Sequence, residues 1–145
     1  DLALTVLDTD PDNFSSYAGD GLEDSWQVFY FGVGNLDAGP AMDPDGDGQD
    51  NEFELAAGLV PTDPLSRLGL RIALVAGQPT HRNLVFQPVV AGRSYRILAS
   101  TTLEAGTWAP LPGSPPVADD GDERTVTDTA ATEARKFYQV EVTKP

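Results

Sequence analysis

Six side chains in the stretch "DPDGDGQDNEFE" share one chemistry and fall at a telling spacing. Counted from Asp43, position 1 is Asp43, position 3 Asp45, position 5 Asp47, position 7 Gln49, position 9 Asn51 and position 12 Glu54. An oxygen-seeking cation takes six to eight oxygens at short range, and a twelve-residue loop supplies them from these positions, with glycine at position 6 for the sharp turn. Gly48 stands there. Gln49 would act through its backbone carbonyl, Asn51 directly or through water, and Glu54 with both carboxylate oxygens. Calcium fits this set. Magnesium keeps its waters and takes fewer protein ligands, and transition metals favour nitrogen or sulfur donors. The chain offers those only through a single histidine and no cysteine. Asp50, at position 8, departs from helix-loop-helix calcium hands, where a hydrophobe pairs two loops.

A second acidic stretch is spaced alike: "GDGLEDSWQ" runs parallel to "GDGQDNEFE". With Gly21 at position 6, Asp20 takes position 5, Leu22 position 7, Asp24 position 9 and Gln27 position 12. Positions 1 and 3 then fall on Ser16 and Ala18, which are poor ligands. Upstream, "LDTDPDN" carries Asp8, Asp10 and Asp12, and an insertion around "PDNFSSYA" separates the leading pair, Asp8 and Asp10, from the glycines. Asp8 and Asp10 are expected to replace the missing ligands of a second ion site. The competing expectation is that Asp20 caps the following helix and the upstream acids are solvated.

Short helices must position these ligands. "GLEDSWQVFYFG" places Leu22, Trp26, Phe29 and Tyr30 on one stripe, with Glu23, Asp24 and Gln27 opposite and Gly32 as a stop. "NEFELAAG" predicts a second helix with Phe53, Ala56 and Ala57 on one side and Gly58 after its end. At "GLVPTDPLSR", residues 58–67, the character changes. Residues 1–64 hold 15 acids and no Lys or Arg; residues 65–145 hold the other 8 acids and all 9 basic residues. Beyond the break the apolar period is two. Leu68, Leu70, Ile72 and Leu74 share a face, Tyr95, Ile97 and Ala99 another, and Tyr138, Val140 and Val142 a third. Pro88 in "NLVFQPVVAG" suggests an edge strand or bulge. About six short strands between turn-rich connectors such as "AGQPTHRN" and "DDGDE" fit an antiparallel β-sandwich of immunoglobulin or fibronectin type III character. The expected fold is mixed α+β: a small calcium-binding helix-loop-helix unit over residues 1–64 and a β-sandwich over 65–145. "LALTVL" near the start is a further candidate strand.

The totals exclude several functions. A net charge of −14, split as −15 before the junction and +1 after it, argues for an external cation and against nucleic acid, which needs a basic surface. No apolar run approaches a membrane span. The chain opens without Met and without a signal peptide, so it reads as a piece of a larger protein. Enzymatic signals are lacking: His81 sits in turn-like "QPTHRN", and neither a GxSxG elbow nor a phosphate-binding glycine loop occurs. Trp26 is expected in the core of the first helix and Trp108 in packing near a loop. "VADDGDERT" reads as a hairpin turn.

The run from "DGLEDSWQVFYFG" through "DPDGDGQDNEFELAAGLVPTDPLSR" resembles the bacterial thrombospondin type 3-like calcium repeat, over about residues 8–67. The stretch "GRSYRILASTTLEAGTWAPL" with "FYQVEV" is similar to the β-domain that often trails such repeats. The resemblance implies a secreted or cell-surface protein of the kind found in Verrucomicrobia and Planctomycetes. It implies calcium carried by Asp43, Asp45, Asp47, the Gln49 carbonyl and Glu54, with Asp63 as a further ligand or cap. This chain departs from the repeat at Gln27, where the family has an acid, and at Ser16 and Ala18, where it has leading acids. The expected role is a calcium-stabilised structural or adhesion-type module rather than an enzyme, its partners being calcium, a neighbouring domain of the parent protein, or a glycan. The rival expectation is a carbohydrate- or protein-binding accessory module of a secreted hydrolase.

Overall fold

The computed structural model describes residue 12 and residues 14–145. Asp8, Asp10 and the candidate strand "LALTVL" lie outside the described residues. The chain divides into two compact units, one running to Leu55 and including Leu59–Arg67, the other comprising Ala56–Gly58 and Leu68–Pro145.

In the first unit two short helices alternate with acidic loops. Helix α1 spans Asp24–Phe31 and α2 spans Asn51–Ala57, with 3-10 turns at Ser15–Tyr17 and Leu36–Ala38. Gly32 stops α1 at φ 74°, its N–H donating to the Val28 carbonyl at 3.0 Å. Asp50 caps α2, its Oδ1 accepting the Phe53 N–H at 2.9 Å, which explains a polar residue where calcium hands usually carry a hydrophobe. After α2 the chain turns through Gly58 at φ 75°, and the Leu59 N–H closes back on the Glu54 carbonyl at 2.9 Å. Among the described residues, Tyr17, Leu22, Ala38, Leu55, Leu59 and Pro61 are its buried apolar side chains. The Tyr17 hydroxyl donates to the Gly32 carbonyl and accepts the Asn35 N–H, tying the end of α1 to the first 3-10 turn.

The helix faces correct the sequence expectation. Asp24 and Gln27, expected on the solvent side of α1, are its buried residues, whereas Phe29 is 79% exposed and Trp26 half-buried. In α2, Asn51 and Glu54 are fully buried and Phe53 only partly. The apolar stripe is real, and its aromatic rings pack edge to face with one another: Trp26 against Tyr30 at 5.2 Å between centroids, Phe29 against Tyr30 at 4.8 Å. The buried face of α1 is nevertheless the polar one, while α2 buries Leu55 and Ala57 together with Asn51 and Glu54.

The second unit holds seven strands in two antiparallel sheets. They are β1 (Gly69–Val75), β2 (Gln78–Gln87), β3 (Ser94–Ser100), β4 (Ala109–Pro110), β5 (Val117–Asp120), β6 (Glu123–Asp128) and β7 (Phe137–Thr143). One sheet has the order β1-β2-β6-β5, the other β4-β3-β7. Leu84, Phe86, Ile97, Leu98, Leu111 and Val126 are buried, and the Phe86 and Tyr95 rings meet at 5.5 Å. Three expectations change. Gln78–His81 belong to β2 rather than to a turn, which shrinks to Ala76–Gly77. Pro88 marks neither an edge strand nor a bulge: β2 lies inside its sheet and stops at Gln87, before the ring that lacks a ladder donor. Ile72 and Leu74 are exposed, since β1 is an edge strand and its register with β2 slips between Leu74 and Val75. The "VADDGDERT" hairpin forms as expected, with Asp120 opposite Glu123.

A buried ion pair closes one end of this unit. The Lys136 ammonium lies 2.8 Å from Asp128, which is 3% exposed, and the Tyr138 hydroxyl donates to the same carboxylate at 2.7 Å. Burial by itself would raise the Asp128 pKa; the Lys136 ammonium, the Ala130 N–H and the Tyr138 hydroxyl outweigh it and hold the group below its ordinary value. Removing one partner of such a pair strands the other charge. Lys136→Met is therefore expected to destabilise the unit by about 3–5 kcal/mol in urea unfolding. A loss under about 1 kcal/mol would show that water reaches Asp128 and stands in for the lysine.

Candidate metal centre

The loop before α2 is built around Asp43. Its Oδ1 accepts the N–H groups of Gly46 at 2.8 Å and Asp47 at 3.2 Å, and its Oδ2 accepts that of Gly48 at 2.9 Å. These peptide donors hold Asp43 below the usual carboxylate range, the Gly48 N–H most strongly. Asp47 in turn folds over the Gln49 N–H at 2.8 Å. Two positive-φ glycines let the chain coil this tightly, Gly46 at 74° and Gly48 at 94°. As a result Asp43, Asp45 and Asp47 each bring a carboxylate oxygen within 4.8 Å of the others, a group that could hold a metal ion.

Glu54 and Asn51 reach this loop from the first turns of α2. Glu54 stands outside the cluster of three mutually close oxygens, yet it is fully buried and both its oxygens accept nothing. Asn51 spends its amide N–H groups on the carbonyls of Asp37 and Gly39, both at 2.8 Å, which leaves its Oδ1 without a partner. Asp45 Oδ2 and Asp47 Oδ2 are likewise buried and unpartnered. Five orphaned oxygens in one small loop have a direct physical meaning. An acceptor removed from water costs free energy unless something positive meets it, and a buried carboxylate costs most.

The titration of Glu54 carries the same message. Burial first, then the charges of Asp45, Asp47, Asp43 and Asp50, push its pKa up to about 8. Burial, followed by repulsion from Asp47 and Asp43, also raises Asp45, although the Asp47 N–H opposes it. Such a group contributes stability that is fully present below its unfolded pKa and is lost as pH rises through the folded one. In chelator, the first unit should lose stability between about pH 4.5 and about pH 8, following Glu54. A bound cation takes the deprotonated carboxylate, so it should flatten that slope and release protons when added near neutral pH. Titration calorimetry in buffers of differing ionisation enthalpy reads the release directly. Equal heats in all buffers at pH 7 would contradict the buried, protonated Glu54.

The first loop repeats the frame with a longer insertion. Asp12 takes the part of Asp43: its Oδ1 accepts from Gly19 at 2.6 Å and Asp20 at 3.0 Å, its Oδ2 from Gly21 at 2.8 Å. Asp20 then folds over the Leu22 N–H at 2.9 Å, as Asp47 does over Gln49. Seven positions separate Asp12 from Gly19, against three between Asp43 and Gly46. The Phe14 N–H from the inserted stretch donates to Asp24. Gln27, at the place of Glu54, donates its amide to Asp20 Oδ2 at 2.7 Å and to the Ala38 carbonyl at 2.9 Å, leaving Oε1 buried and unpartnered. Sequence reasoning missed Asp12 as a loop residue because it placed Asp12 inside the inserted stretch and gave the leading positions to Asp8 and Asp10. The signal available was the reach of an aspartate that precedes a Gly-Asp-Gly turn. Asp63 caps locally, its Oδ1 accepting the Leu65 N–H.

No protein-family model, curated protein or solved structure matches the chain. The functional reading therefore rests on the residues themselves.

Proposed function

We propose that the chain is a calcium-stabilised structural module of a larger secreted or surface protein, its acidic unit folding around an ion and its β-unit an immunoglobulin-type sandwich. The observation that carries this is the set of buried, unpartnered oxygens on Asp45, Asp47, Asn51 and Glu54 beside Asp43. Asp43, Asp45, Asp47 and Glu54 would hold the ion by carboxylate oxygens, Gln49 by its carbonyl and Asn51 by Oδ1. All are oxygen donors, and four are anionic, which suits calcium above softer metals. The ion would supply charge compensation alone. Helix α2, with seven residues, is too short to persist without such anchoring. An extracellular calcium level near millimolar fills sites with a Kd of about 10⁻⁴–10⁻³ M, so the unit would fold on export.

The sheet order supports the immunoglobulin assignment. Taken as A, B, E and D, strands β1, β2, β6 and β5 follow the order of that sandwich's four-stranded sheet, with β3 and β7 as C and F in the other. The resemblance to thrombospondin type 3-like repeats points the same way for the acidic unit. Calorimetric titration with calcium tests the reading: saturable binding at the Asp43–Glu54 loop, weakened at least about a hundredfold by Asp45→Asn or Glu54→Gln, is expected. Absence of binding at millimolar calcium would overturn it.

A further inference from the structure

Helix α1 supplies none of the oxygens of the Asp43–Glu54 loop, yet three carbonyls in a row tie it to that loop. The 3-10 turn Leu36–Ala38 and the glycine after it present the oxygens of Asp37, Ala38 and Gly39. The Asn51 amide donates to the first and the third, both at 2.8 Å, and the Gln27 amide to the middle one at 2.9 Å. Gln27 lies on α1 and Asn51 opens α2. Gln27, Ala38 and Asn51 are all fully buried. Asn35 pins the same turn to the end of α1: its amide donates to the Phe31 carbonyl at 3.3 Å, and its Oδ1 accepts the Asp37 N–H at 3.0 Å. Backbone bonds fasten the following stretch to α2, from the Asn51 N–H to the Met42 carbonyl at 2.9 Å and from the Glu52 N–H to the Pro40 carbonyl at 3.0 Å.

Asn51 is where the ion loop enters this chain of bonds. A carboxamide is planar, with its acceptor and its two donors fixed on opposite prongs. Two carbonyl partners settle which prong is nitrogen, so the atom left over is Oδ1, buried and with nothing donating to it. A cation drawing on that oxygen would fix the amide plane and polarise its N–H groups, since hydrogen bonds in series strengthen one another. Calcium hands pair their loops through a hydrophobe at position 8, but here Asp50 stands there and caps α2. Side-chain amides take over the joining.

We infer that Asn51 is a positioning residue as well as a ligand: occupancy of the Asp43–Glu54 loop is passed through its amide to the Asp37–Gly39 carbonyls, and through Ala38 and Gln27 to α1. This rests on the calcium reading of that loop. It makes the order of α1 depend on an ion that α1 does not touch.

Hydrogen exchange of the full chain, read by mass spectrometry in excess EGTA and in millimolar calcium chloride, tests this together with calorimetry. In the parent chain calcium should slow the amides of both helices, those of α1 by about tenfold or more. Asn51→Asp and Asn51→Ser each keep an oxygen at position 9 and lose both amide protons, the serine without burying a further charge. Both should still bind calcium and slow α2, while the slowing of α1 falls below about twofold. Amides of α1 that slow in a calcium-binding variant as much as in the parent would overturn the inference. So would a parent chain in which calcium slows α2 alone, and either result leaves the calcium reading standing. Calcium that neither binds the parent chain nor slows either helix would overturn both.

Discussion

Glu54→Gln is expected to shift melting in opposite directions with and without calcium. In chelator at about pH 9 the variant should melt higher than the parent chain, because it no longer buries a carboxylate among four others. Below about pH 4.5, where Glu54 is protonated in the folded and the unfolded chain alike, the two should melt alike. In millimolar calcium the order reverses, since the variant loses the one ligand able to bind with two oxygens. Outer groups that merely orient metal ligands are worth 10–100-fold in affinity; a direct ligand should cost at least about a hundredfold. The crossing separates the metal reading from a purely structural one. If Glu54 served only as a packing element, the substitution would lower the melting temperature in both conditions.

Removal of calcium should have the largest effect on the parent chain. A ligand at a hundred times its Kd stabilises the folded state by about 2.7 kcal/mol. In a unit of roughly this size each kcal/mol moves the midpoint by about 4–8 °C. Excess EGTA is therefore expected to lower the melting of the acidic unit by roughly 10–20 °C. Amide exchange should accelerate first in α1, α2 and the loops between Phe14 and Leu59. The amides of Leu84 to Phe86, buried in a separate core, should change far less. An unaltered midpoint in EGTA would mean that the orphaned oxygens are met by something other than a cation, and the functional proposal would fall.

The physical logic common to both results is that this small unit is organised by its polar atoms. Among its described residues the buried apolar side chains are a handful, Tyr17, Leu22, Ala38, Leu55, Leu59 and Pro61. Phe29, Val33 and Leu36 remain exposed. A unit with so little buried apolar surface lies in the range where domains rely on metals or disulfides. Cysteine is absent, so no disulfide can serve here, and the proposed ion in the Asp43–Glu54 loop would take that part.

Several features were readable directly from residue order. The loop over Asp43–Glu54 was legible because the geometry of a coiled turn requires carboxylates at alternate positions and glycine where φ is positive, and those demands are local. Both helices and their glycine stops were legible for the same reason. The strands were legible from their period, except at β1, where edge position exposed Ile72 and Leu74, and at β2, which extended through His81 toward its turn. Seven strands in two sheets, rather than about six, reflect β5, whose four residues are all exposed and carry no apolar alternation, so that only its pairing with β6 marks it as a strand.

What the sequence alone determined, then, is which atoms could bind: an acidic half without a counterion, oxygen donors at a ligand spacing, and alternation beyond the junction. The tertiary structure decided which of those atoms are hidden. Asn51 and Glu54 turn inward as their ligand spacing implies, but amphipathic patterning assigns the polar face of α1 to water, and only packing reveals that Asp24 and Gln27 turn inward too. It likewise decided that Asp12 joins the first loop, because a hydrogen bond across an insertion depends on distance in space and leaves no fixed spacing in the chain.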